Sequence, residues 1–146
     1  MSLAGPGANL ILALVAYGAL RALLAAHVFV PPDTATFTQV VDLAGQKSIR
    51  SPLGALAMAL SIMLNLNVLL GLFNLIPIPP LDGAGVVEGM APKRTGSLYA
   101  RLRETPMIGV LGLVLAWQIF GYVVEPVFSA TLFVLHPGVR YTLGAN

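Results

Sequence analysis

Few side chains in this sequence can do chemistry, and one of them stands in an unusual setting. Cysteine is absent, and two histidines, His27 and His136, accompany six acids. Disulfides, thiolate metal sites and a thiol nucleophile are thereby excluded. Asp82 is the informative acid, because it lies in the run NLIPIPPLDG, from Asn74 to Gly83, just past a long uncharged apolar stretch. A carboxylate at or near membrane depth is costly unless it is paired, hydrated or bound to a metal. Pro77, Pro79 and Pro80 forbid a regular helix here, while Gly83 and Gly85 admit backbone shapes closed to other residues. Irregular backbone at such depth is tolerated where protein buries it or where it lines a wet cavity. Two readings follow. In one, Asp82 is a hard oxygen ligand suited to zinc, whose catalytic sites use three protein ligands and a water. In the other, the segment is an ordinary loop and Asp82 caps the helical turn behind it.

Composition sets the elements that must position this carboxylate. Of 146 residues, 57% are hydrophobic and 10% charged, and the mean hydropathy is +0.85. An average globular domain carries about a quarter charged residues, so the expected solvent is a bilayer. Three stretches reach the roughly 20 residues that a helical span needs: residues 8–30, 52–76 and 106–124. A further apolar piece, residues 127–135, follows Glu125-Pro126. Proline removes a backbone donor and disfavours helix in the residue before it, which predicts a break there, with the last piece lying in or re-entering the interface. The first stretch is expected to be a retained span rather than a signal peptide, since it lacks a charged leading region and carries Arg21 deep inside.

The sequence therefore predicts an all-α, multi-pass membrane protein. It is a single membrane domain over residues 1–146, with about three transmembrane helices and a proline-broken loop after the second. Residues 27–51 form a polar extramembrane loop with a short strand at 36–41. Residues 77–105 carry Lys93, Arg94, Arg101 and Arg103, with a short interfacial helix at 97–103. The positive-inside rule puts this second loop, and the N-terminus with it, in the cytoplasm. The formal charge of +2 bears on orientation. No basic run with interleaved aromatics exists, so nucleic acid is not an expected partner.

The segment NLIPIPPLDG resembles the N-x-x-P-x-P-x-L-D-G motif of the site-2 protease family of intramembrane metalloproteases. The N-terminal AGPGANL is similar to that family's G-P-x-x-N signature, here Gly5, Pro6 and Asn9. The order of the motifs also agrees, with one span, one loop and a second span between them. What the resemblance implies is zinc-dependent hydrolysis of peptide bonds within the membrane, with a transmembrane protein as substrate and membrane lipid as surroundings. In the family, two histidines of an HExxH helix and the aspartate of L-D-G hold the metal, and the glutamate acts as base. Carried onto this sequence, Asp82 is the third zinc ligand. Asn74 and Asn9 match motif asparagines that hydrogen-bond substrate backbone or hold the irregular segment. Pro77, Pro79 and Gly83 shape the ligand loop.

The sequence departs from the family pattern in two places. No HExxH is present: neither His27 nor His136 has a second histidine four residues away, so no helical turn presents two imidazoles on one face. Ala84 stands where the family commonly has a second glycine. In the family, HExxH precedes G-P-x-x-N. The expectation is thus a membrane core whose HExxH segment is missing through truncation, a split gene or an internal start, with an inactive family member as the alternative. Alone, the chain is expected to bind zinc weakly at best and to hydrolyse nothing. The rival from another class is a non-enzymatic scaffold or small carrier using Asp82 as an ion site, since broken helices also serve transporters. Among the other polar residues, His27 is an interface residue before it is a substitute ligand, and His136 a turn residue. Asn65 and Asn67 point to different faces of the second span, and at least one is expected to bond across helices. Trp117 and Tyr122 are packing or belt residues, and Glu125 is a candidate partner for Arg21. The absence of cysteine and of a lumenal signal suits a prokaryotic plasma membrane.

Overall fold

A computed structural model describes residues 4–45, 51–78, 81–90, 101, 106–139 and 141. In chain order the elements are α1 (Ala4–Ala25), β1 (Phe29–Val30), β2 (Asp42–Leu43), α2 (Pro52–Asn74), α3 (Asp82–Met90) and α4 (Pro106–Leu135). Three of the helices, spanning Ala4–Ala25, Pro52–Asn74 and Met107–Leu135, are long and apolar enough to cross a membrane. Their outward residues are apolar as well, among them Ile11, Leu14, Val110, Leu113 and Trp117, all exposed. Such surfaces suit lipid rather than water.

Local chemistry fixes the helix ends. Ser51 Oγ accepts the Gly54 N–H at 3.1 Å, an N-cap, and Pro52 takes the first helical position of α2, where its missing N–H costs nothing. Helix α1 ends at a left-handed residue, His27, with φ of 54°. The N–H of Val28 reaches back to the Leu23 carbonyl at 3.0 Å and that of His27 to Leu24 at 3.1 Å, the Schellman pattern that glycine usually closes. His27 is thus an exposed helix terminator.

Helix α4 runs unbroken from Pro106 to Leu135 with Pro126 inside it. The break expected at Glu125-Pro126 does not occur. Proline is tolerated in spanning helices when neighbouring groups take up the freed carbonyl and the local turn adjusts.

The chain groups into two compact units, Met1–Leu10 with Leu69–Glu125, and Ile11–Val68 with Pro126–Asn146. The second unit holds a core of Ala13, Ala16, Leu20, Phe29, Val40, Val41, Ala57, Leu64, Leu132 and Leu135. Phe29 pairs with Leu43 and Val30 with Asp42 in a two-stranded antiparallel ribbon. The short strand expected at 36–41 is instead a turn closed by a bridge between Thr36 and Gln39.

This turn is inserted against the helices. Val40 N–H donates to Ser61 Oγ at 3.1 Å, and Asn65 Nδ2 donates to the Phe37 carbonyl at 2.7 Å. His136 Nε2 meets the Val40 carbonyl at 2.7 Å, while the Phe37 ring lies 6.5 Å from that of Phe128. At 1.5 Å per residue, Asn65 is about 20 Å along α2 from its start, so the segment read as an extramembrane loop penetrates well down the helix. Its backbone is satisfied by buried side chains, which is the condition for irregular chain at such depth. Of the two span asparagines, Asn65 bonds across to this turn, and Asn67 bonds back to the Met63 carbonyl of its own helix at 2.8 Å. Arg21 donates to the Leu135 carbonyl at 3.0 Å, where a cation meets the negative end of α4.

Candidate metal-ligand site

The first unit contains the proline-broken segment. Helix α2 closes with tight i→i−3 bonds, Leu75 N–H to Leu72 and Ile76 N–H to Phe73, each at 3.1 Å. Pro77 ends it. The chain then turns sharply, with Ile78 N–H on the Ile76 carbonyl and Leu81 N–H on the Ile78 carbonyl, both at 2.8 Å. Pro79 and Pro80 lie outside the described residues. Asp82 is the first residue of α3 and is partly buried, so its charge also complements that helix's positive end.

Two glycines make room here. A Cβ on Gly83 would fall on the Leu75 and Ile76 carbonyls. The need for glycine is therefore one of close approach, because neither Gly83 nor Gly85 has a positive φ. A Cβ on Gly5 would stand 2.5 Å from Asp82 Oδ2. The carboxylate thus lies directly against the first turn of α1. Farther along, a Cβ on Gly71 would meet Leu10 Cδ2 at 3.4 Å and Asn9 Cβ at 3.6 Å, so Asn9 packs on α2 less than one turn from Asn74, its last residue. Ala84 is 2% exposed, and its methyl fits within the packed turn. Phe73 and Phe120 meet edge to face at 5.6 Å in the same unit, while Trp117 is exposed and stacks on Phe120.

The tertiary contact therefore joins the two sequence motifs, Gly5 of G-P-x-x-N and Asp82 of L-D-G. The spacing of the motifs gives no hint of the distance between them, and the role of Gly5 emerges only in three dimensions. The histidines belong to the second unit and both are committed. His27 terminates α1. His136 is buried, with its Nε2 on the Val40 carbonyl and its ring 5.8 Å from Tyr141. A carbonyl only accepts, so this nitrogen carries the proton. Burial lowers the His136 pKa from its usual value, the Val40 bond opposes that shift, and the Arg21 cation adds to it.

Among the described residues no three His, Asp or Glu side chains converge to hold a metal ion. Asp82 offers one oxygen donor, and a complete zinc site needs more. The second unit also has a cavity of about 640 Å³, lined by Asp33, Gln39, Asp42, Gly54 and Met58 among others and by none of Asn9, Asn74 or Asp82. Its Asp42 already accepts from Gln39 Nε2.

The sequence pattern of Peptidase family M50 matches residues 1–117. The chain is 31% identical over 132 residues to the "Putative zinc metalloprotease YwhC" of Bacillus subtilis (strain 168), which covers 89% of this chain and 51% of that protein. It thus spans about half the length of that relative. No solved structure matches it.

Proposed function

This chain belongs to peptidase family M50, and from that premise we propose that it forms the carboxylate-bearing part of a membrane-embedded zinc metallopeptidase. It is a multi-pass membrane protein with three helices long and apolar enough to span, and the proline-broken segment follows the second of them. In this reading Asp82 is one zinc ligand, and the two imidazoles and the general base come from an HExxH segment outside these 146 residues. Zinc in such a site polarises a scissile carbonyl and makes water nucleophilic at neutral pH. This chain's own share is to hold a carboxylate oxygen donor at the proline-broken end of α2, with Asn9 and Asn74 near enough in the fold to engage an unwound substrate backbone. The substrate class is a transmembrane protein, and the setting is a prokaryotic plasma membrane.

The observation that carries the reading is the Asp82 carboxylate lodged against Gly5 of α1, which brings both family motifs to one place. The test is reconstitution in lipid vesicles with a fluorogenic transmembrane peptide, with and without the HExxH-bearing span of a family relative. The chain alone should cleave nothing. The pair should cleave in a zinc-dependent way, and Asp82→Ala should reduce the rate at least about a hundredfold, since one of three protein ligands is lost. Zinc-dependent cleavage by the chain alone would remove the need for a second segment, and full activity of Asp82→Ala would remove Asp82 from the metal site. Zinc binding without cleavage in every combination would favour a non-catalytic scaffold or a carrier built on the same carboxylate.

A further inference from the structure

We propose that Gly5 is a positioning residue for Asp82: its missing side chain is the space that one carboxylate oxygen occupies, and this fixes where the carboxylate points. The inference rests on the ligand reading of Asp82 for its consequence, but its geometry stands by itself. A Cβ at Gly5 would lie 2.5 Å from Asp82 Oδ2 and 3.6 Å from its Cγ, with no other neighbour within 4 Å among the described residues beyond its own helix turn. Among the described residues the carboxylate is therefore the group that an alanine would displace. Asp82 Oδ2 also lies over the first turn of α1, where backbone N–H groups lack partners within the helix and the helix's positive end favours an anion. Shape and charge both draw this oxygen to Gly5.

The nature of the clash separates a positioning role from a structural one. At Gly83 an added Cβ would strike backbone carbonyls, which cannot move without remaking the turn. At Gly5 it would strike the end of a side chain that rotates about its Cα–Cβ and Cβ–Cγ bonds. Gly5→Ala should therefore fold and leave the helices in place, while swinging the carboxylate to another rotamer. Gly7, two residues along the same helix, has nothing within 4 Å of its would-be Cβ among the described residues beyond its own helix turn. Gly7→Ala is thus the same substitution with no carboxylate to meet.

The chain contains three aspartates, Asp33, Asp42 and Asp82. Selective ¹³Cγ-aspartate labelling of the detergent-solubilised chain gives three carboxyl resonances, with Asp82 assigned by Asp82→Asn. Gly5→Ala should move the Asp82 resonance alone, and Gly7→Ala should move none. An Asp82 resonance unchanged in Gly5→Ala, or equal movement of all three, would overturn the proposal. A second measurement addresses the metal. With the chain assembled with an HExxH-bearing span, Co²⁺ binding read from its visible absorption should weaken about 10- to 100-fold in Gly5→Ala, the usual effect of losing a group that orients a ligand. Gly7→Ala should bind Co²⁺ as the unsubstituted chain does. Equal affinities for the two variants would count against positioning. Should the unsubstituted assembly take up no Co²⁺, the zinc reading falls, and the carboxyl resonances still decide the placement of Gly5.

Discussion

The two irregular segments of this protein, residues 36–41 in one unit and 75–82 in the other, face the same physical problem. Each interrupts helices that are apolar enough to span a membrane, and each must satisfy backbone groups away from water. The first does so with side chains reaching in from the helices. Ser61, Asn65 and His136 take the Val40 N–H, the Phe37 carbonyl and the Val40 carbonyl. Val40 and Val41 are fully buried as a result. In the second, the described backbone N–H groups of Leu75, Ile76, Ile78 and Leu81 bond to nearby backbone carbonyls, and the Asp82 carboxylate lies against a glycine. Three polar side chains are used up closing the first segment. Among the described residues no side chain bonds the backbone of the second, and its carboxylate stays available. The clamped segment and the carboxylate-bearing one thus differ in where the satisfying groups come from.

That contrast can be broken at its strongest point first. Gly83→Ala forces a methyl onto backbone carbonyls with no rotamer to relieve it, and should destabilise the fold by about 3 kcal/mol. Chemical unfolding in micelles reads this, and a loss under about 1 kcal/mol would mean that the turn is looser than drawn. Next in size is Ser61→Ala, which leaves the buried Val40 N–H without its acceptor. An orphaned buried group costs about 1–3 kcal/mol, whereas hydrogen bonds between membrane helices average about 0.6 kcal/mol. Among the described residues Ser61 is the acceptor for this N–H, so about 1.5 kcal/mol is expected, and a value near 0.5 would show the clamp to be weak.

A smaller, graded effect comes from pH. The lowered pKa of His136 means that the unfolded chain binds the proton more tightly than the folded one. Its contribution to stability is therefore present above about pH 6.5, the unfolded value, and is lost as the pH falls through the lowered folded value. The groups facing it are Arg21, whose cation disfavours protonation, and the Tyr141 ring. Melting temperature measured from pH 7.5 down to 5 should drop, and His136→Gln should flatten that part of the curve. An unaltered slope in the variant would assign the pH dependence to other groups. The smallest effect belongs to Gly7→Ala, within about 0.5 kcal/mol of the unsubstituted chain, because no atom of the described residues beyond its own helix turn stands within 4 Å of the added methyl.

The sequence by itself determined the spans and the character of the loop after the second. Apolar length fixes the helices, and three prolines within four positions after Ile76 forbid their continuation. The motif residues also identified Asp82 as the chemically informative acid. It did not determine that residues 36–41 insert against the helices, because a polar loop reads the same whether it crosses a surface or packs under one. Pro126 misled in the opposite direction, since a spanning helix can continue through a proline when neighbouring groups take up the freed carbonyl. Gly5 is the clearest case. As a letter in a motif it has no mechanism, and only the approach of a carboxylate from 77 residues away along the chain gives its missing side chain a use. Local propensity is written residue by residue. The space that one residue leaves for another exists only after the helices have packed.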